Sequence, residues 1–183
     1  MRSEIRRLQK TLSITTVYVT HDQEEAMAVS DHVAVMNEGR IVQIGTAEDL
    51  YTRPESTFVA QFIGRINILP AEVKEVEETS ATVAIFNEAF QIPKSAVSLV
   101  RGQRIKVFIR PESIELTKDG GETRLRGRIA EKTFLGEKVD YQVEIAGHSL
   151  NATSYDPFLH ETFALNQEVG ITLNENAIKI LKE

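Results

Sequence analysis

The sequence predicts a mainly β chain: a small barrel or sandwich from residue 65 onward, preceded by a mixed α/β piece. Three observations lead there. Beyond Arg65, short β-rich runs follow one another with turn signals between them. Asp140 to Ile145 alternates, with Tyr141, Val143 and Ile145 on one face, the period of a half-buried strand. Before Gly64 the pattern is different, and helical spacings interleave with two β-branched stretches.

Residues 1 to 11 read as an amphipathic helix, with Ile5 and Leu8 on one side and Arg2, Arg6, Arg7 and Lys10 elsewhere. Ile14 to Thr20 is expected to be a buried strand. Asp22 is placed to cap a helix running to about Ser30, with Glu25 completing a capping box. Asp31 to Met36 and Arg40 to Ile44 flank Asn37-Glu38-Gly39, a hairpin in which Gly39 accepts positive φ. Thr46 caps a short helix through Leu50, and Pro54 suits the first turn of another. Phe58, Val59, Phe62 and Ile63 form its apolar stripe, which Gly64 ends.

The later strands are expected at Ile68 to Val76, Ala81 to Phe86, Phe90 to Ile92, Arg104 to Arg110, Leu125 to Phe134, Lys138 to Ile145, Ser149 to Ser154, Val169 to Leu173 and Ala177 to Leu181. Lys118-Asp119-Gly120-Gly121, Gly136-Glu137 and Ala146-Gly147 mark turns. The two domains therefore divide as 1–64 and 65–183.

The chain has 183 residues and a formal net charge of -6. That balance argues against a nucleic-acid or anionic-membrane partner, and the densest cationic stretches, Arg2 to Lys10 and Arg124 to Arg128, suit solvated faces. Zero cysteines exclude disulfides and thiolate zinc sites. No apolar run approaches the roughly 20 residues that span a bilayer, and the basic start has no apolar core of a signal peptide.

His21 is the sharpest site candidate. It ends the run Val17-Tyr18-Val19-Thr20 and directly precedes a helix, a position where ligands gather in α/β sheets. A neutral imidazole there can bond a phosphate or a nucleophilic water; the plain alternative is a histidine that caps a turn. His32, His148 and His160 lack partners at ligand or triad spacing. Asp22, Glu24 and Glu25 are explained by the helix macrodipole, so no metal site is expected.

The ordered block Tyr18-Val19-Thr20-His21-Asp22-Gln23-Glu24-Glu25-Ala26-Met27, Ser30-Asp31-His32-Val33-Ala34-Val35-Met36 and Gly39-Arg40-Ile41-Val42-Gln43-Ile44-Gly45-Thr46 closely resembles the end of an ABC-transporter ATPase. The resemblance runs on through Leu50-Tyr51 and Pro54 to Phe58-Val59-Ala60-Gln61-Phe62-Ile63-Gly64. The subgroup it suggests is the bacterial importer ATPases for sugars, polyamines or ferric iron, which carry a C-terminal transport-associated domain of oligonucleotide/oligosaccharide-binding (OB-like) fold. Ile109-Arg110-Pro111-Glu112, Phe134-Leu135-Gly136 and Ala177-Ile178-Lys179-Ile180-Leu181 look like landmarks of that domain.

The resemblance implies that His21 is the switch histidine, which contacts the γ-phosphate of ATP and helps place the attacking water. It implies ATP and Mg2+ as cofactors of the parent subunit, a homodimer, membrane permease subunits as partners, and a cytoplasmic position at the inner face of the membrane without insertion. Arg110, Pro111 and Glu112 become candidates for regulatory or dimer contacts; the plain reading has Pro111 ending a strand while Arg110 and Glu112 pair at the surface. Phe134-Leu135-Gly136 and Tyr141 suit core and turn.

Departures from the family pattern carry equal weight. None of the ten glycines precedes a lysine, so no G-x-x-x-x-G-K-[ST] phosphate loop exists in this chain. The acidic pair for magnesium and the Ser-Gly-Gly signature are also missing. The expectation is a C-terminal fragment, with Met1 internal or an alternative start, inactive alone and binding no cofactor. Residues 1–64, cut from a larger sheet, should be covered by a second copy. Two other readings stay open: a free-standing dimerisation or regulatory module, and a barrel binding a small anion or sugar.

Overall fold

The computed structural model describes residues 2–93, 97–118, 125–158 and 160–181. The turn expected at Lys118-Asp119-Gly120-Gly121 lies, after Lys118, outside them, as does Arg124. The chain divides into two compact units, one up to Gly64 and one spanning Arg65–Leu181. Strand predominates, as the sequence predicts.

The first unit holds four helices, α1 (Arg2–Leu12), α2 (Gln23–Val29), α3 (Ala47–Thr52) and α4 (Thr57–Phe62), and a hairpin of β1 (Val33–Asn37) and β2 (Arg40–Gly45). Glu38 and Gly39 both take positive φ (49° and 76°), the conformation that lets a two-residue turn match strand twist. Val35, Leu50, Val59 and Ile63 form a small core, with Met27, Val42, Tyr51 and Phe58 against it. Phe58 and Phe62 stack at 5.6 Å, one helical turn apart.

Three local expectations are corrected here. Ile14 to Thr20 forms no strand and pairs with none among the described residues. With no sheet neighbours to cover them, Val17 and Val19 are 87% and 90% exposed. Pro54 precedes the helix instead of entering it: Ser56 is the N-cap of α4, accepting from Val59 N–H. The 53–55 loop is held by the buried Gln43, which donates to Arg53 C=O (3.2 Å) and accepts from Glu55 N–H (2.9 Å). The capping box is half formed, because Thr20 Oγ1 takes the Asp22 N–H while the Glu25 carboxylate turns to Tyr18 and Thr20.

The second unit is two five-stranded antiparallel sheets over one core. The first sheet runs β12 (Lys179–Ile180), β6 (Arg104–Ile109), β3 (Asn67–Val76), β4 (Ser80–Ile85), β5 (Glu88–Pro93). The second runs β10 (His148–Tyr155), β9 (Lys138–Ile145), β8 (Leu125–Phe134), β11 (Glu168–Leu173), β7 (Ile114–Lys118). The second sheet curls until its edge strands β10 and β7 meet. Leu69, Val73, Val83 and Val107 from one sheet pack with Ile129, Tyr141, Val143, Leu150 and Ile171 from the other. Alternation in β9 is as predicted: Val139, Tyr141, Val143 and Ile145 are all buried.

Strand β7 was not foreseen, since Glu115, Thr117 and Lys118 dilute its apolar signal. The run 177–181 shortens to a two-residue strand because Glu175–Ala177 forms a 3-10 turn. Phe134 and Leu135 are corrected from core to surface, 60% and 50% exposed. They stand at the β8–β9 turn, which Gly136 closes at φ 81°.

Candidate functional site

His21 sits at the apex of a turn whose other polar groups are occupied by one another. Thr20 Oγ1 accepts from Asp22 N–H (3.0 Å) and donates to Glu25 Oε2 (3.1 Å). Tyr18 donates its hydroxyl to the same carboxylate oxygen (3.0 Å). Asp22 Oδ1 accepts the Glu25 N–H (3.0 Å) and so caps α2. The bonds brace the backbone on both sides of His21, while the imidazole is exposed. The frame thus holds the backbone that carries His21.

Arg110, Pro111 and Glu112 follow the end of β6. Pro111 opens the 3-10 turn Pro111–Ser113, at the position where a missing N–H costs nothing. Here the surface reading of Arg110 is corrected. It is 5% exposed, and its Nη1 donates to the Arg65 carbonyl (3.3 Å). Pro111 is buried as well, leaving Glu112 as the member of the trio that faces solvent. Tyr141 is core, as expected, with its ring edge-on to Phe163 (5.9 Å) and its hydroxyl accepting from Phe163 N–H (3.2 Å). Burial pushes the phenol pKa up. The other histidines are exposed, and His148 rests edge-on against Phe86 (5.4 Å).

The sequence reading missed a polar cluster at the start of the second unit. Asn67 is 4% exposed, donates to Asn151 C=O (2.8 Å) and Ile109 C=O (3.3 Å), and accepts from Asn151 N–H (2.7 Å). The Arg65 guanidinium bonds Asp140 and Asn151 Oδ1, and Asp140 accepts from Thr153. A signal for it existed: Asn67 falls in phase with the buried Leu69, Ala71 and Val73, and a polar residue in a core register needs partners. A separate open cavity of about 500 Å3 is lined by Lys74, Glu75, Val76, Leu99, Val100 and Arg101, with Lys74 committed to Glu72 (2.7 Å). Among the described residues, no three His, Asp or Glu side chains converge as a metal site, and no helix is long and apolar enough to cross a membrane.

Residues 107–181 match the TOBE domain family. The chain is 42% identical over 144 residues to the Fe(3+) ions import ATP-binding protein FbpC of Rhizobium etli, covering 79% of this chain and 40% of that one. It is 34% identical over 183 residues to the protein of the same name from Brucella abortus (strain 2308), and 32% identical over 191 residues to the spermidine/putrescine import ATP-binding protein PotA of Haemophilus ducreyi. Those two alignments cover 100% of this chain and 50% and 52% of the relatives. The chain thus spans about half the length of the curated relatives it matches. In fold, it is similar to the cytoplasmic molybdate-binding protein ModG with molybdate bound, at a TM-score of 0.55 and 10% identity, over 64% of this chain and 96% of that one. Residues 107–181 thus match the TOBE domain family, within a chain that is similar along its length to import ATP-binding proteins.

Proposed function

We propose that this chain supplies two parts of an importer's ATP-binding subunit: the switch histidine and a regulatory β domain. In this reading residues 1–64 belong to the ATPase domain and residues 65–183 to the OB-like domain. The observation that carries it is the exposed His21 on a turn braced by Thr20, Asp22, Glu25 and Tyr18, within a chain similar to ATP-binding import proteins throughout its length.

The role assigned to His21 is to bond the γ-phosphate of ATP and orient the attacking water, a contribution of position and charge in phosphoryl transfer. Mg2+ would accompany the ATP phosphates in the parent subunit. ATP hydrolysis, pairing with a second subunit, docking on membrane permeases and a cytoplasmic place at the membrane's inner face follow from the same reading. Glu112, exposed beside the buried Arg110 and Pro111, is the residue of that trio best placed for a regulatory or dimer contact.

The test is to express the full reading frame that contains this chain and compare it with a His21→Ala variant. ATP turnover should fall by about 100-fold or more with nucleotide binding retained. Unchanged turnover, or a frame with no phosphate-binding loop upstream of Met1, overturns the reading.

A further inference from the structure

We propose that Arg65, Asn67, Arg110, Asp140 and Asn151 form a clasp that makes residues 65–67 part of the rigid β unit, with the Arg65–Asp140 ion pair as its latch. The inference holds whether or not the chain acts on ATP.

Each contact has a distinct job. Arg65 reaches across to β9 and β10 at once, through Asp140 and Asn151 Oδ1. Its own carbonyl is held by the buried Arg110 at the end of β6 (3.3 Å). Two residues on, Asn67 bonds both backbone groups of Asn151. Strands β6, β9 and β10, drawn from both sheets, therefore converge on Arg65 and Asn67, where β3 begins. Asp140 is the fixed point: its side chain is only 14% exposed, and Thr153 Oγ1 donates to its second oxygen (2.7 Å). A carboxylate anchored in this way loses little further freedom on pairing, unlike an ordinary surface pair.

The consequence is a sharp mechanical boundary. The chain enters the β unit already immobilised at Arg65, and Gly64, with no side chain to restrict it, is the residue next outside. Bending of the connection is thereby confined to Gly64 and what precedes it, and residues 65–67 do not act as a flexible linker.

Arg65 is itself a trypsin site, so the full chain reports on the latch directly. Asp140→Asn should raise cleavage after Arg65, and amide exchange at residues 66–69, by about tenfold, while Tyr141 and Val143 keep their protection. Arg65→Lys keeps the trypsin site but cannot span both partners, and should give an intermediate rise. Cleavage unchanged in both variants overturns the proposal, as does protection lost equally at Tyr141 and Val143. If Asp140→Asn does not fold, Arg65→Lys with the same two readouts decides alone.

Discussion

The Asn67 side chain lies against Asn151 as a strand would, donating to its carbonyl at 2.8 Å and accepting from its amide at 2.7 Å. Strand β10 is an edge of its sheet, and an edge strand presents unpaired backbone groups that recruit other chains. One primary amide has the donor and acceptor needed to occupy a residue of that edge.

Replacing Asn67 with Ala should therefore leave polar groups of Asn151 and Ile109 without their partner. A loss of about 1–3 kcal/mol is expected, read as a lower midpoint in urea. Asn67→Asp should cost as much, since a carboxylate accepts from Asn151 N–H but faces two carbonyls it cannot donate to. Wild-type stability in both would refute the assignment.

Gly127 sits at a crowded point of the second sheet. A Cβ there would lie 2.7 Å from Val143 Cγ1, 2.8 Å from Glu144 O and 2.9 Å from Ile171 Cδ1. Because Glu144 O is backbone in the paired strand, the clash cannot be relieved by a rotamer change alone. Gly127→Ala should destabilise by about 1–3 kcal/mol, with far less effect from Gly127→Ala on the first unit's hairpin signals.

Tyr141→Phe should remove the acceptor for Phe163 N–H while preserving the ring contact. The expected cost is about 1 kcal/mol, with packing around Ile129 and Val139 unchanged by NMR.

Asp31 tethers α1: it receives Lys10 Nζ at 3.0 Å and Arg6 Nη2 at 3.3 Å. The Lys10 hydrogen bond, then the charge of Lys10, hold its carboxyl below the usual range. A lowered folded-state pKa means a contribution fully present above about pH 4 and lost as the pH falls through the lowered value. Amides of residues 2–12 should lose protection in that acid window, and Asp31→Asn should remove the Asp31 share of that loss, leaving the part due to the Glu4–Arg7 pair. The pair is exposed, so added salt should weaken it too.

Local chemistry made much of this legible. The two-residue turn at Glu38-Gly39, the caps Asp22 and Thr46, and the face Tyr141, Val143, Ile145 each depend on neighbours in sequence. What failed depended on partners far along the chain. Val17 and Val19 have the residues of a buried strand, yet burial needs flanking strands, and these side chains face solvent. Arg110 has the composition of a surface residue, but its partner carbonyl lies 45 positions away. His21 was visible as a candidate because its site is a local turn; the Asn67 cluster was missed because its partners lie 84 residues on.

The order of the second sheet also governs how the chain reaches its fold. Strand β11, residues 168–173, lies between β8 and β7 and pairs with both, so β7 has no place in the sheet until it arrives. Strand β12 then closes on β6 from about 70 residues away in sequence. During synthesis, the β unit must wait unfinished until its last strands leave the ribosome, holding apolar faces such as that of Ile129 and Val143 open meanwhile. Loss of the final 16 residues, 168–183, would remove β11 from the middle of a sheet, and the cell would meet that product as a substrate for chaperones and proteases.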